Sequence, residues 1–252
     1  MNQGDRSRSL SKSMLAIVLT KVVVTIIVVV GGERFAPAGE SGDQRCCVSS
    51  SAWVLMSPAG SSLAATLDQL DVEHRWLRSD LRIAWRTGKP IASDLEKDQT
   101  PLAENETHCS AFAAAAADHL GVYLLHPPEH SHVLLADAQF DWILSPGGRK
   151  AGWQSVSGPL AAQKLANSGS LVVAVFKNSD PKLPGHIAVV RPNEKRVICV
   201  EACGPQITQA GFDNYRSTDL ATGFDRHSGA WLPEGKGQVR FFSHPLDRAR
   251  RP

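Results

Sequence analysis

Cys109 lies in Thr107-His108-Cys109-Ser110, directly ahead of an alanine-rich run, and about 75 residues later Gly185-His186 opens the apolar stretch Ile187-Ala188-Val189-Val190. A thiol at a helix start and an imidazole at a strand start are the parts of a nucleophile and its base. The first turn of a helix has free N–H groups and about half a positive charge, which favours thiolate and predicts a cysteine pKa below the free value of about 8.5. The imidazole would take the proton and return it to the leaving group. An isolated cysteine is more often a small buried hydrophobe or half of a disulfide. What favours chemistry here is the combination of helix start, following histidine and the export segment described below.

The elements that must position these groups are legible from pattern. Thr107 is a candidate N-cap, residues 111–120 are dominated by the best helix former, and Gly121 stands where a left-handed C-terminal residue is expected. Residues 63–85 carry apolar positions near the 3.6 period and predict one or two amphipathic helices; 159–166 predicts another short one. Residues 171–176, 186–191, 196–202 and 239–243 read as strands, and their short connections imply antiparallel neighbours. The expected fold is therefore α+β, a nucleophile helix packed on an antiparallel sheet. Alternation along the strand at 196–202 would set Glu201 beside His186, with Ala188 and Val190 on the histidine's own face. Such a carboxylate would orient the ring. Gln206, Gln209 and Asn214 compete for that role through neutral amides.

This order of cysteine, histidine and polar residue resembles the NlpC/P60 and CHAP peptidoglycan amidases, which are papain-like cysteine hydrolases. The likeness runs from Thr107 to about Gln206 and is one of pattern. It implies a catalytic domain over 107–247, Cys109 as nucleophile, His186 as base and Glu201 as orienter, with an amide bond of peptidoglycan stem peptides as substrate and no cofactor or metal. The chain departs from the pattern in its long cysteine–histidine separation, which makes 137–158 look like an insertion, and in 204–211, which fits no family motif. Trp142 and Trp153, with Gly147, Gly148 and Gly152, could form a flap that binds substrate, although core roles for both tryptophans compete. Tyr123 could donate to an oxyanion, as could the backbone N–H of Cys109. A non-catalytic cell-wall-binding module and an acyltransferase are the alternative functions of such a scaffold.

The flanking sequence adds a compartment. Arg6, Arg8 and Lys12 precede the apolar stretch 14–30, and Ala36-Pro37-Ala38 has the small residues of a cleavage site. Residues 1–38 thus read as a signal peptide or signal anchor, which places the body in the periplasm, at the cell envelope or outside the cell. Membrane contact would come only through that segment. Residues 39–62 read as a linker, 63–106 as a helical extension and 248–252 as a basic tail. The formal charge of +2 is concentrated in the export segment, and no basic stripe interleaved with aromatics remains to recruit nucleic acid. An inhibitor or immunity protein is an expected partner of an exported hydrolase. Five cysteines leave at least one free thiol, and Cys109 is the expected one, with bridges open between Cys46 or Cys47 and Cys199 or Cys203. His126, Glu129, His130 and His132 are close together, but two prolines stiffen the loop and no second ligand pair appears, so no metal is expected.

Overall fold

The sequence Leu171-Val172-Val173-Ala174-Val175-Phe176 has no polar residue, which in a strand means that both faces must be covered. In a computed structural model, which describes residues 52–79, 82–91, 107–233 and 236–246, that is the arrangement. The elements run β1 (Trp53–Val54), α1 (Pro58–Gln69), α2 (Cys109–His119), α3 (Leu135–Leu144), α4 (Pro146–Lys150), β2 (Gln154–Val156), α5 (Pro159–Asn167), β3 (Leu171–Phe176), β4 (His186–Val190), β5 (Lys195–Arg196), α6 (Val197–Cys203), β6 (Gln206–Gln209), β7 (Tyr215–Asp219), α7 (Leu220–Gly223) and β8 (Arg240–His244). Six strands form one antiparallel sheet in the order β2-β8-β3-β4-β6-β7, and β1 pairs with β5 in a separate two-stranded sheet. The fold is mixed α+β.

Period-two alternation divides the core. Leu171, Val173 and Val175 of β3 and Ile187 and Val189 of β4 pack with the alanines and Phe112 of α2. Val172, Ala174 and Phe176 with Ala188 and Val190 pack on the opposite face against Ala162 and Ala166 of α5, Leu220 of α7 and Phe224. Each fully buried aliphatic side chain is worth about 1.5–3 kcal/mol, and a one-residue slip of register would swap the two sets between cores packed for different side chains. The small side chains of α2 let it lie close to the sheet. Its end is as expected, with Gly121 at φ 71° just beyond Leu120.

The described parts of the expected linker and helical extension, residues 52–79 and 82–91, include residues that join the main core. Ser57 caps α1 by accepting from the Gly60 N–H, and Pro58 occupies the first helical position. Helix α1 therefore begins inside the segment expected to be a tether. It stops at Gln69, and the residues beyond form turns and an isolated bridge between Ile83 and Pro90 where a second helix was expected. Leu63, Leu67 and the fully buried Trp76 join the same core as α2, with Trp76 edge-on to Phe112 at 5.3 Å. The expected export segment, residues 1–38, lies outside the described residues. Among the described residues no helix is long and apolar enough to cross a membrane.

Two further expectations differ from the structure. Residues 137–158 are not a flap: α3 and α4 pack on one another, and β2 pairs with β8 as the edge of the main sheet. Residues 197–203 form helix α6, not a strand. Helical spacing puts Cys199 and Cys203 on one face, and both are disulfide-bonded, whereas Cys109 is the free thiol among the described residues. The β preference of Val197 and Ile198 is worth only tenths of a kcal/mol each, which burial of Cys199 and Val200 on one helical face outweighs.

Asp137 of α3 fixes the hairpin from which His186 emerges. Its carboxylate accepts the N–H groups of Asn178, at 3.0 Å, and Gly185, at 2.9 Å. A Cβ on Gly185 would collide with the Phe176 carbonyl and the Asp137 carboxylate. Gly185→Ala is expected to lower stability by about 1–3 kcal/mol, measured by urea denaturation. An unchanged midpoint would show that the hairpin yields without loss.

Candidate active site

The sheet brings Cys109 and His186 to the same end of β4, but not across one face as strand alternation had suggested. Cys109 belongs to the core made with Ile187 and Val189. The His186 ring lies edge-on to Phe224 at 4.6 Å, on the side that Ala188 and Val190 occupy, and Phe224 is part of the other core. Sulfur and imidazole thus flank the start of the strand. No hydrogen bond joins them among the described residues.

Local electrostatics at the thiol are a contest between helix start and burial. The backbone N–H groups of Ile187, Ser110 and Cys109 itself face the sulfur and favour thiolate. His108 occupies the N-cap position, where Thr107 was expected, and its side chain makes no cap bond, so it does not compete for the first-turn donors. Burial nevertheless dominates. Cys109 is only 5% exposed, and desolvation, aided slightly by the Asp137 carboxylate, pushes its thiol up to about 11. The expected low-pKa thiolate at a surface helix end is therefore corrected: the resting group is a neutral, buried thiol.

The imidazole is well defined. His186 Nε2 and Gln209 Oε1 are 3.0 Å apart, and the Gln209 amide is turned by a second bond from its Nε2 to the Asp213 carbonyl at 3.2 Å. An amide oxygen only accepts, so Nε2 of the histidine must donate. The neutral ring then carries its proton on Nε2 and a lone pair on Nδ1. Burial holds the His186 pKa down to about 4 despite the Gln209 bond, with His227 lowering it further, so this tautomer is the form present at neutral pH. His227 stacks on His186 at 5.1 Å with 16° between the planes.

Of the expected orienters only Gln209 reaches the ring. Gln206 bonds Ser217 and Lys195, and Asn214 pins Val72 and Arg75 through their carbonyls. Glu201 is exposed on α6 and lines a different depression with Pro159 and Lys164, so the strand-borne glutamate beside His186 is not found. Strand β6, which carries Gln209, is the neighbour of β4. Its signal was a four-residue segment between Pro205 and Gly211, missed because three of its four residues are polar although all are buried.

A cleft of about 170 Å³ opens beside His186, Gln209 and His227, with Thr107, Phe212, Tyr215 and Arg226 on its walls. Cys109 is not on those walls. Neither are the three aromatics expected to bind substrate. Trp153 is 2% exposed and donates from Nε1 to the Tyr123 carbonyl, which makes it a core residue. Tyr123 and Trp142 meet edge-on at 5.1 Å in a separate aromatic group with His126, whose ring stacks on Trp85 at 4.1 Å.

Removing the acceptor tests the assignment of Gln209. Gln209→Leu leaves the His186 N–H buried without a partner, at a cost of about 1–3 kcal/mol, and frees the ring to turn. Any His186-dependent turnover is expected to fall about 10²-fold, with Gln209→Glu partly restoring it. Equal rates in Gln209→Leu and the unaltered protein would remove Gln209 from the site. The chain matches no protein-family model and no curated protein.

Proposed function

We propose that this protein is a cysteine hydrolase of amide bonds, papain-like in arrangement, with Cys109 as nucleophile, His186 as base and Gln209 as the acceptor that orients it. The observation that carries the reading is the hydrogen bond that fixes His186: with its proton held on Nε2 by Gln209, the ring keeps an unprotonated Nδ1, and the thiol lies at the same end of β4. Because thiol and imidazole are both neutral at rest, proton transfer accompanies attack and no thiolate is stored beforehand. Sulfur bonds to the carbonyl carbon as its proton passes to Nδ1, and the oxyanion meets the first-turn N–H groups of α2. The imidazolium then protonates the leaving amine, and water releases the acid from the thioester. Transfer needs near hydrogen-bond reach, so closing of thiol and ring on each other must accompany substrate binding.

Peptidoglycan stem peptides are the proposed substrate class, on the strength of the residue pattern and of the export segment, which would deliver the body to the cell envelope. Incubation with defined muropeptides, followed by mass spectrometry, tests this. New peptide acids that incorporate solvent oxygen are expected. Products joined to an added amine would instead mark an acyltransferase. Burial of Cys109 away from the cleft favours a second reading, a binding module without chemistry. Retention on insoluble peptidoglycan with no cleavage under any condition would select it.

A further inference from the structure

We propose that His227 is a positioning residue for His186, its ring covering one face of the imidazole and holding it in register with Gln209. The inference rests on the hydrolase reading for its kinetic consequence, but its geometry stands on the two rings.

His186 is constrained on three sides. Gln209 fixes the ring in its plane through Nε2, Phe224 meets it edge-on at 4.6 Å, and the His227 ring covers one face at 5.1 Å, nearly parallel. His227 is supported in turn by Phe176, at 5.3 Å, and lines the cleft. Without His227 that face of His186 would open toward the cleft, and the ring could rotate away from Gln209. A misplacement of about 1 Å in a proton-transferring group can cost about 10²-fold in rate.

The charges around the two rings are unequal. Asp137 of α3 and Asp225, just beyond α7, both act on His227 and favour its protonated form, against burial that disfavours it. Arg226, its sequence neighbour, is directed to Asp213 at 3.6 Å. His186 faces no carboxylate that acts on it: its partner is the neutral Gln209 amide, and its other titratable neighbour is His227 itself. The first proton added to the pair therefore goes to His227. A cation stacked on His186 then opposes the imidazolium that must form when the thiol gives up its proton. Hydrolysis is lost on the acid side through His227 before His186 itself titrates.

Two variants of the full chain separate shape from charge. His227→Phe keeps an aromatic face and removes the titration; His227→Ala removes both. The first readout is the imidazole N–H spectrum of 15N-labelled protein. The His186 Nε2–H signal is expected to be sharp at pH 7 in the parent and in His227→Phe, to persist to lower pH in His227→Phe, and to broaden by exchange in His227→Ala. The second is the pH profile of Cys109-dependent muropeptide cleavage. His227→Phe is expected to retain more of the plateau than His227→Ala and to move the acid limb down, and His227→Ala to lose about 10²-fold in kcat with little change in KM. A His227→Ala protein with the parent's N–H signal, or a His227→Phe protein whose signal broadens as in His227→Ala, overturns the proposal. If the parent cleaves nothing while the N–H signals behave as stated, the assignment of His227 stands and the hydrolase reading fails.

Discussion

Cys109→Ala is expected to abolish amide cleavage while leaving the protein folded. With Cys109 as the proposed nucleophile, its loss removes the covalent route entirely, and a fall on the order of 10³-fold or more in kcat is expected. The structural cost is small by comparison. Alanine deletes only the sulfur from a position that α2 already lines with alanines, and the volume lost is about that of one methylene, worth about 1 kcal/mol. Muropeptide cleavage followed by mass spectrometry, beside a urea unfolding curve, separates the two effects. Full activity in a folded Cys109→Ala protein would end the thiol mechanism. The pH profile of the proposed cleavage by the unaltered protein carries a related expectation. With His186 held down to about 4 and Cys109 up to about 11, turnover that needs neutral imidazole and neutral thiol should show a broad plateau. An ion-pair enzyme would show a thiolate already formed near neutrality.

Stability is expected to fall as the solution is acidified from about pH 6.5 toward pH 4. His108 and His186 are both lowered to about 4, mainly by burial, against an unfolded value of 6.5. Between those values the unfolded chain binds protons that the folded chain refuses, so falling pH favours unfolding. The contribution is intact above about pH 6.5 and lost by about pH 4, at about 3 kcal/mol for each histidine. His108 adds a reason for the same sign, since its buried Nε2 has no partner among the described residues, and nearby His132 opposes its charge. Urea midpoints measured at pH 7, 5.5 and 4 read the slope directly. His108→Phe should make it shallower. A midpoint constant over that range would contradict the burial of both rings as neutral groups.

The pattern of the chain exposed much of this arrangement because strong local signals agreed with the packing. The alanine run with Gly121 behind it is α2, the unbroken apolar run is β3, and Pro159 begins α5. Gly185-His186 opens β4 because the close approach of Asp137 and Phe176 admits only glycine before the strand. Where the reading failed, a non-local interaction outweighed a local preference. Val197-Ile198 prefers strand, but in the fold that segment is helix α6, with Cys199 and Val200 buried, and it carries Glu201 away from the histidine. Gln206-Ile207-Thr208-Gln209 is too polar to announce a buried strand, yet its side chains find partners only inside the fold.

By itself the sequence determined the α+β class, the helix that carries Cys109 and the strand that begins at His186. Those follow from periodicity, capping and composition, which act over a few neighbouring residues. Only the tertiary structure decided that Gln209 and not Glu201 meets the imidazole, that His227 covers it, and that thiol and ring flank the strand end. It also decided the charge state of the thiol. A helix start lowers a cysteine pKa through N–H groups that sequence can locate, whereas desolvation raises it by an amount set by everything packed around the sulfur, and at Cys109 the packing wins.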